Sequence, residues 1–576
     1  MPESSQDRDR TPSDIFVKGL WLKSRQFSNF LTRRRHRNHR LQTWFVSWGS
    51  SVITVFCLLG LTGELAWTQT SQEIELEVGV VQRFGRQPTD ELIIKATEGD
   101  RLTLTFLKGD RTERTLQAEE VKLEISQQPL PQPILEERLV LSSHRSFENA
   151  EAHANELRQQ GIEVEIAQPG RWQVWAKRDV YKTPLLRRLL LISLPSEVAK
   201  TAFLSTEMRY QQSTVTWEID GFVYHRRELE ISAGKGVIQV SRSKDDKDER
   251  LYPGTLQVQP NAYGSFTLVN EVAIESYLRG VVPHEVGAGA PYAALEAQAI
   301  IARTYVLRNL RRFAVDDYQI CADTQCQVYK GIGQSWPPAD RAIAATAGKV
   351  LTYNNELVDA LYSSTTGGIT ASFNDMWDGF DRPYLQPVVD SVANVWDLSQ
   401  QNLSSEQNFR KFISLKTGFN EEDWDGLFRW REKSLMPELK QDLRKYLQDK
   451  KDPRANFKTI EEIKVVDRSN AGRVISLSVK TDRGSVLLRK DEILRAFYAP
   501  LSTLFYLERI YGADKKLKGY AFVGGGFGHG VGLSQTGSHN LAKLGWSSDR
   551  ILKFYYPGSQ IQSFTDSIVL WRDAKK

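Results

Sequence analysis

An uncharged run of about 20 residues near the start of the sequence, Trp44–Gly63, constrains the rest of the chain most. A helix of that length crosses roughly 30 Å of hydrocarbon. The basic stretch Arg33–Arg40 precedes it, and such charges stay on the cytoplasmic side of a membrane. The sequence therefore predicts a basic cytoplasmic tail (1–43), a single span (44–63) and an exported body after Glu64. A cleavable signal peptide is the alternative, but the lack of a clear A-x-A site favours an uncleaved anchor.

Charge is distributed unevenly along the 576 residues, which suffice for three or four domains. Residues 1–43 carry ten basic residues against four acidic ones, while the whole chain has a net charge of only +5. The exported part is thus nearly neutral. It lacks the electrostatic footprint that nucleic acid requires, so nucleic acid is not an expected partner.

The positions of the three cysteines are consistent with a membrane span followed by an exported body. Cys57 lies in the predicted span, which leaves Cys321 and Cys326 as the pair outside. In an oxidising compartment such a pair is first interpreted as a disulfide. Half of a metal site is the second interpretation.

The exported part begins with strand-like patterns. Residues 72–133 alternate polar and apolar side chains, with Ile74, Leu76, Val78 and Val80 on one face, and end in a Pro/Gln-rich linker (Gln127–Pro133). Residues 138–194 then follow a β-α-β-β order that resembles the peptidoglycan-binding SPOR domain, a small ferredoxin-like module. The alternative is a spacer domain with Trp172 and Trp175 in its core.

A charged segment, 404–452, interrupts the mixed pattern of the second half of the chain. Its apolar residues fall at helical spacing in a stripe of Leu435, Leu439, Leu443 and Tyr446. We predict a helical insertion that serves as a lid or a partner surface.

Glu285 is the carboxyl group with the most suggestive surroundings. It follows Val281 and Val282 on a segment bounded by Pro and Gly, just before an alanine-rich helical pattern. A carboxyl group held among valines has a raised pKa and can act as an acid. The alternative is that Glu285 caps the next helix, near Pro291, or faces water.

Two glycine-containing segments come later. Leu361–Trp377 clusters hydroxyl groups around a Gly pair, which suits either a sugar-binding groove or an ordinary turn. Gly524–Gly537 has seven glycines in fourteen residues. It matches no dinucleotide fingerprint, P-loop or nucleophile elbow. A hydrolase built on Ser534 and His529 therefore lacks its elbow and a third member.

In this order the motifs resemble the family of stage II sporulation protein D and the amidase enhancer LytB. The shared segments are Tyr277–Glu285 (YLRGVVPHE), Gln298–Tyr305 (QAIIARTY), Ser363–Gly368 (SSTTGG), Pro383–Leu385 (PYL), Gly528–Gln535 (GHGVGLSQ) and Tyr555–Gly558 (YYPG). The resemblance covers about residues 214–563, without the insertion, and implies a mixed α+β fold.

The resemblance implies a lytic transglycosylase that cleaves peptide-free peptidoglycan between N-acetylmuramic acid and N-acetylglucosamine, leaving 1,6-anhydro ends. The essential acid of the family corresponds to Glu285. Further residues are candidates for binding the glycan: Arg303, Tyr305, Ser364, Thr365, His529, Ser534 and Gln535. The binding alternative is a non-catalytic enhancer of a cell-wall amidase that grips the same glycan strands.

Two departures from the family pattern matter. Val286 and Gly287 stand where Met and Pro are common, which affects the shape of the groove. Some relatives bind zinc near Cys321 and Cys326, but here no His lies between His284 and His529. Tetrahedral zinc needs four nitrogen or sulfur ligands, so we expect no metal or other cofactor, and a Cys321–Cys326 disulfide or two free thiols instead.

Overall fold

The alternating segments at the start of the body form strands, as their pattern predicts. A computed structural model describes residues 74–243, 248–287, 289–333, 336–424 and 426–571. It has a mixed α+β architecture, and Leu76, Val78 and Val80 are buried on one face of the first strand. The predicted tail (1–43) and span (44–63) lie outside the described residues. No helix within the described ranges is long and apolar enough to cross a membrane.

Residues 75–321 supply two large sheets and the first helices. The strands are β1 (Glu75–Phe84), β2 (Glu91–Ala96), β3 (Leu102–Leu107), β4 (Glu113–Ala118), β5 (Glu120–His144), β6 (Val164–Ala167), β7 (Trp172–Ala176), β8 (Phe203–Ile219), β9 (Phe222–Arg226), β10 (Leu229–Ala233), β11 (Val237–Ser241), β12 (Arg250–Pro253), β13 (Thr255–Pro260), β14 (Phe266–Ala273) and β15 (Ile320–Cys321). The helices are α1 (Phe147–Gln159), α2 (Pro184–Ser193), α3 (Ser196–Ala199), α4 (Ile274–Val286) and α5 (Tyr292–Arg308).

The first sheet has the order β15-β1-β14-β13-β10-β3-β4 and the second β12-β11-β2-β5-β7-β6, with β8 against β5 and β9 against β8. Buried side chains of both sheets belong to one apolar core, which also includes α4 and α5. Helix α5 is buried on nearly all sides because its many alanines let neighbouring elements approach closely.

The predicted linker at 127–133 is wrong. These residues continue strand β5, which pairs with β8 on both sides of an irregularity between Pro129 and Ile134. Prolines cannot donate to a ladder and are tolerated at such irregularities, so the composition indicated a linker where the chain has a kinked strand.

The module predicted at 138–194 is completed by β8. Its elements follow the order β5-α1-β6-β7-α2-β8, and its strands are all antiparallel in the order β8-β5-β7-β6. This is a ferredoxin-like arrangement. Trp172 and Trp175 are buried, Trp172 against Phe147 and Phe313. Peptidoglycan binding by this module stays a prediction.

The remaining elements surround α5 and build a second core. The helices are α6 (Pro337–Ala345), α7 (Glu406–Ser414), α8 (Met436–Asp449), α9 (Glu492–Ala496), α10 (Gln535–Lys543) and α11 (Ser548–Tyr555). The strands are β16 (Lys349–Tyr353), β17 (Glu356–Leu357), β18 (Tyr362–Ser363), β19 (Trp430–Leu435), β20 (Ile460–Arg468), β21 (Val474–Thr481), β22 (Gly484–Arg489), β23 (Phe505–Tyr511), β24 (Leu517–Gly524), β25 (Leu533–Ser534) and β26 (Gln560–Ser563).

The segment 404–452 is not purely helical, because β19 lies between α7 and α8 and pairs with β24. Leu439, Leu443 and Tyr446 are buried as the stripe predicts. Leu435 is exposed, since it ends the strand and precedes the helix. The insertion therefore shares a core with residues 457–522.

Candidate active site

Glu285 lies in the last turn of α4, and the residue is half-buried. The helix contains Pro283 and ends at Gly287, whose φ of 83° is a left-handed conformation that glycine adopts freely. This end of a helix carries the negative pole of its dipole, which disfavours a second negative charge. The local sequence thus places an acid where its ionised form is poorly supported.

Burial raises the pKa of Glu285, and three hydrogen-bonding groups oppose that rise. The backbone N–H of Val328 donates to Oε1 at 2.8 Å. The side chains of Tyr362 and Gln535 also lie against the carboxylate and favour its charged form. Because burial dominates, the acid holds its proton to a higher pH than an ordinary glutamate.

Tyrosines line the buried side of this carboxylate. Tyr277 and Tyr362 are joined through Gln327, whose Oε1 accepts from Tyr277 at 3.2 Å and whose Nε2 donates to Tyr362 at 3.3 Å. Burial raises the pKa of Tyr305 to about 12, with the Glu285 charge among the smaller causes. These phenols stay protonated and provide both apolar ring faces and hydroxyl groups around the acid.

The segment that holds Gln327 and Val328 follows a disulfide. Cys321 and Cys326 are bonded, with their Cα atoms 5.6 Å apart. The Tyr329 N–H donates to the Ala322 carbonyl at 3.1 Å and closes the loop. Among the described residues, no group of three or more His, Cys, Asp and Glu side chains is placed to hold a metal ion.

Strands β18 and β25 form a two-residue parallel pair that joins the two glycine-containing segments. Tyr362 is opposite Leu533 and Ser363 is opposite Ser534. Thr536 adds hydrogen bonds from its N–H and its hydroxyl to the Ser364 carbonyl, at 3.1 and 2.9 Å. This pairing brings Tyr362 and Gln535 to Glu285 from positions far apart in the chain.

The glycines of these two segments allow their backbones to pack directly against each other. A Cβ on Gly367 would lie 2.6 Å from the Gly525 carbonyl carbon, and one on Gly526 would lie 2.8 Å from that of Thr366. Both residues have positive φ. The glycine density of 524–537 is therefore explained in part by packing against the Ser/Thr/Gly run.

Glu421 lies in the insertion, where no sequence motif marks it, and it binds several groups of this region. Its Oε1 accepts from Thr366 N–H at 2.6 Å and from the hydroxyls of Thr366 and Ser534, and its Oε2 accepts from Gly368 N–H at 2.7 Å. The side chain is fully buried. Burial, followed by the charge of Glu421, raises the pKa of neighbouring Asp390 well above its usual range.

The structure brings only some of the predicted glycan-binding residues to Glu285. Gln535 and Tyr305 are close to it. Arg303 is not, because it is buried in a bidentate pair with Glu275 (2.7 and 2.8 Å) in the first turn of α4 and donates to the Lys349 carbonyl at 2.9 Å. Thr365 is fully buried, while Ser364 keeps a partly exposed side chain.

Ser534 and His529 are committed to other partners. Ser534 caps α10, accepting from the Gly537 N–H at 3.0 Å while donating to Glu421. His529 accepts from the Val531 N–H at 3.0 Å, and burial lowers its pKa to about 4. Its ring packs beside Trp377. These contacts support structural roles for both side chains.

Two family models match parts of this chain. Residues 262–353 match the family model described as Stage II sporulation protein. Residues 371–532, which include the insertion, match a family described as a domain of unknown function.

Three relatives overlap this region. The amidase enhancer of Bacillus subtilis (strain 168) is 30% identical over 300 residues, which are 50% of this chain and 40% of that protein. Stage II sporulation protein D of the same strain is 27% identical over 354 residues, 57% of this chain and 87% of the relative. The protein of that name from Bacillus amyloliquefaciens is 28% identical over 328 residues, 54% of this chain and 79% of the relative. The match thus spans less than half of the amidase enhancer's length.

Proposed function

Since the chain belongs to the family of stage II sporulation protein D and the amidase enhancer, we propose that it is a lytic transglycosylase that cleaves peptide-free peptidoglycan strands. The scissile bond joins N-acetylmuramic acid to N-acetylglucosamine. Glu285 is the proposed acid and base. No metal or other cofactor takes part in the proposed reaction.

The observation that carries this proposal is the setting of Glu285. Its raised pKa favours the protonated form that an acid catalyst needs, and the residue is only half-buried. The Val328 hydrogen bond fixes one oxygen of the carboxylate. A protein that only grips glycan has no need for a carboxyl group tuned in this way.

The reaction balances without water. Protonated Glu285 donates its proton to the glycosidic oxygen, and the bond from that oxygen to C1 of the muramic acid breaks. The 6-hydroxyl oxygen of the same sugar forms the new bond to C1, and its proton passes to the Glu285 carboxylate. The products are a 1,6-anhydro end and a free 4-hydroxyl on N-acetylglucosamine, and the acid is restored. A single carboxyl group suffices, unlike in the two-carboxylate hydrolases.

Gln535 is the proposed partner of the sugar beside Glu285. Its amide is one of the hydrogen-bonding groups that favour the charged form of Glu285. An amide has both donor and acceptor atoms, which suit the acetamide and hydroxyl groups of a sugar. Tyr362 supplies a hydroxyl and a ring face at the same place, so the pair offers both polar and apolar contact to a saccharide.

The second candidate function is stimulation of a cell-wall amidase. It is favoured by the relative named amidase enhancer, which is 30% identical over 300 residues. In that case the chain would bind glycan strands and present them to a partner amidase. Glu285 would then be dispensable for function.

The proposed location is the cell membrane, with one span at 44–63 and the catalytic region on the extracytoplasmic side. The uncharged run and the preceding basic stretch support this orientation. The Cys321–Cys326 disulfide supports an oxidising compartment.

Mass spectrometry of glycan products tests the proposal. The full chain in detergent and its Glu285→Gln variant are each incubated with peptide-free peptidoglycan. We expect 1,6-anhydro-muramyl fragments from the wild type and a rate at least about 100-fold lower from the variant. Reducing ends without the anhydro ring would show hydrolysis instead. Glycan binding without cleavage, together with stimulation of an added amidase by both forms, would establish the second candidate.

A further inference from the structure

Helix α2 is apolar on two faces, and only one of them has a partner in the described chain. Its inner face places Leu190 and Leu191 against the core of the ferredoxin-like module. The outer face presents four large apolar side chains at the spacing of a helical stripe. Their exposed fractions are 66% for Leu185, 42% for Leu186, 54% for Leu189 and 83% for Ile192. A contiguous exposed apolar stripe of this kind marks a surface that contacts a second apolar environment.

The charges around the helix favour an anionic surface. Helix α2 contains no acidic residue, and residues 177–200 hold six basic residues against two acidic ones. Arg187 and Arg188 both bind the buried Glu137, at 3.1 and 2.9 Å, which holds the helix against the sheet. Glu137 balances only one of these two arginine charges, so the segment stays positively charged beside the apolar stripe, as helices in the interface of a membrane are.

The neighbouring sheet extends the apolar surface. Leu135 and Met208 are opposite each other in β5 and β8, and they are 48% and 47% exposed. Leu135 is on the same face of β5 as Glu137, which is the face that α2 covers. The exposed surface therefore includes strand residues as well as one helix.

The short connection between residues 44–63 and β1 favours the membrane as the binding partner of this exposed surface. About ten residues separate the apolar run 44–63 from the start of β1 at Glu75. Fully extended, they span at most roughly 35 Å. This step rests on the proposed anchor: if 44–63 lies in a bilayer, the body cannot move far from that bilayer, and docking costs little additional entropy.

We infer that the outer face of α2 (Leu185, Leu186, Leu189 and Ile192) docks onto the lipid surface of the membrane that holds residues 44–63. The leucines and the isoleucine enter the boundary between headgroups and acyl chains, while Lys182 stays at the headgroup level. The contact fixes how the body is oriented above the membrane.

Fluorescence quenching by lipids tests this inference. The full chain carrying Cys57→Ser and Ile192→Cys is labelled with an environment-sensitive fluorophore and reconstituted in vesicles of phosphatidylglycerol and phosphatidylcholine. The control carries the label at Val466→Cys, which is 57% exposed in β20. Spin-labelled lipid should lower the fluorescence at position 192 at least twofold and leave position 466 unchanged. Adding Leu189→Asp should abolish that quenching while the far-ultraviolet circular dichroism stays the same.

Each other outcome overturns the inference. If aqueous iodide quenches the label at position 192 as strongly as it quenches the label at position 466, α2 lies in water. Shielding from both quenchers would show that protein covers the helix, either another segment of this chain or a second copy. Flotation of the same vesicles tests the anchor separately from the docking. If the chain floats but spin-labelled lipid does not quench position 192, the chain is anchored in the membrane and α2 does not dock onto it. A chain that does not float contradicts both proposals.

Discussion

The Glu285 carboxylate accepts a hydrogen bond of 2.8 Å from the backbone N–H of Val328, two residues beyond the second cysteine of the Cys321–Cys326 disulfide. The disulfide thus supports the loop that positions the proposed acid. The Val328 hydrogen bond favours the charged carboxylate and so lowers the pKa of Glu285. The disulfide therefore affects the pKa of Glu285 through this hydrogen bond.

Replacing both cysteines, Cys321→Ser with Cys326→Ser, should loosen the Val328 segment. We expect roughly tenfold lower glycan cleavage, since small displacements of positioned groups are costly in catalysis. Loss of the Val328 bond also raises the pKa of Glu285 further, so the activity profile should move to higher pH. Rates measured between pH 4 and 9 check this, with Cys57→Ser as the control. An unmoved profile would show that the segment is held without the disulfide.

Glu285→Gln should stabilise the protein at neutral pH while removing its proposed activity. The folded state raises the pKa of Glu285, so the free energy of unfolding falls as the pH rises above the unfolded-state pKa, and the loss is complete above the folded-state pKa. Below the unfolded pKa the group is neutral in both states, and the cost disappears. We expect the variant to gain on the order of 1 kcal/mol at pH 7.5 and nothing at pH 4. Urea unfolding at the two pH values measures this, and an equal gain at both would contradict it.

Glu421→Ala should destabilise the protein strongly. It leaves the N–H groups of Thr366 and Gly368 and the Ser534 hydroxyl without their buried acceptor. The expected loss is about 3–5 kcal/mol in the free energy of unfolding. Asp423→Ala, at an exposed position of the same segment, should change it by less than about 0.5 kcal/mol. Similar values for the two variants would show that Glu421 does not hold the loop.

Arg303→Leu separates a structural role from the glycan-binding role that the sequence predicts. It leaves Glu275 without its buried partner, so stability should fall by about 3 kcal/mol. The KM for peptide-free glycan should be unchanged, because Arg303 is bound at the opposite end of α4 from Glu285. The exposed pair Arg279–Asp340 provides the control, and Arg279→Leu should cost under about 1 kcal/mol. A raised KM for Arg303→Leu would restore the glycan-binding role.

The sequence motifs predicted the mixed α+β fold and the family because they are short, local and in a fixed order. They could not distinguish residues that face the glycan from residues that fix the backbone. Arg303 and Ser534 belong to family motifs, yet both are buried in hydrogen bonds within the protein. A motif shows that a side chain is required, and only the three-dimensional contacts show what it touches.

Other residues were missed because their partners are distant in the chain. Glu421 lies in a charged insertion, and its role depends on Thr366, Gly368 and Ser534, which no local pattern connects to it. Residues 127–133 of β5 were missed for a different reason. Their prolines indicated a linker, but pairing with β8 on both sides of the irregularity outweighs that local preference.

The two-residue pairing of Tyr362–Ser363 with Leu533–Ser534 has a consequence for the order in which the chain is made. Tyr362 and Gln535, which both lie against Glu285, come together only after a ribosome has produced more than nine tenths of the polypeptide. A contact of such long sequence separation forms late, because the intervening loop must be closed first. The surroundings of Glu285 are therefore assembled at the end of synthesis, and a prematurely ended chain lacks the part of the candidate site that Gln535 supplies.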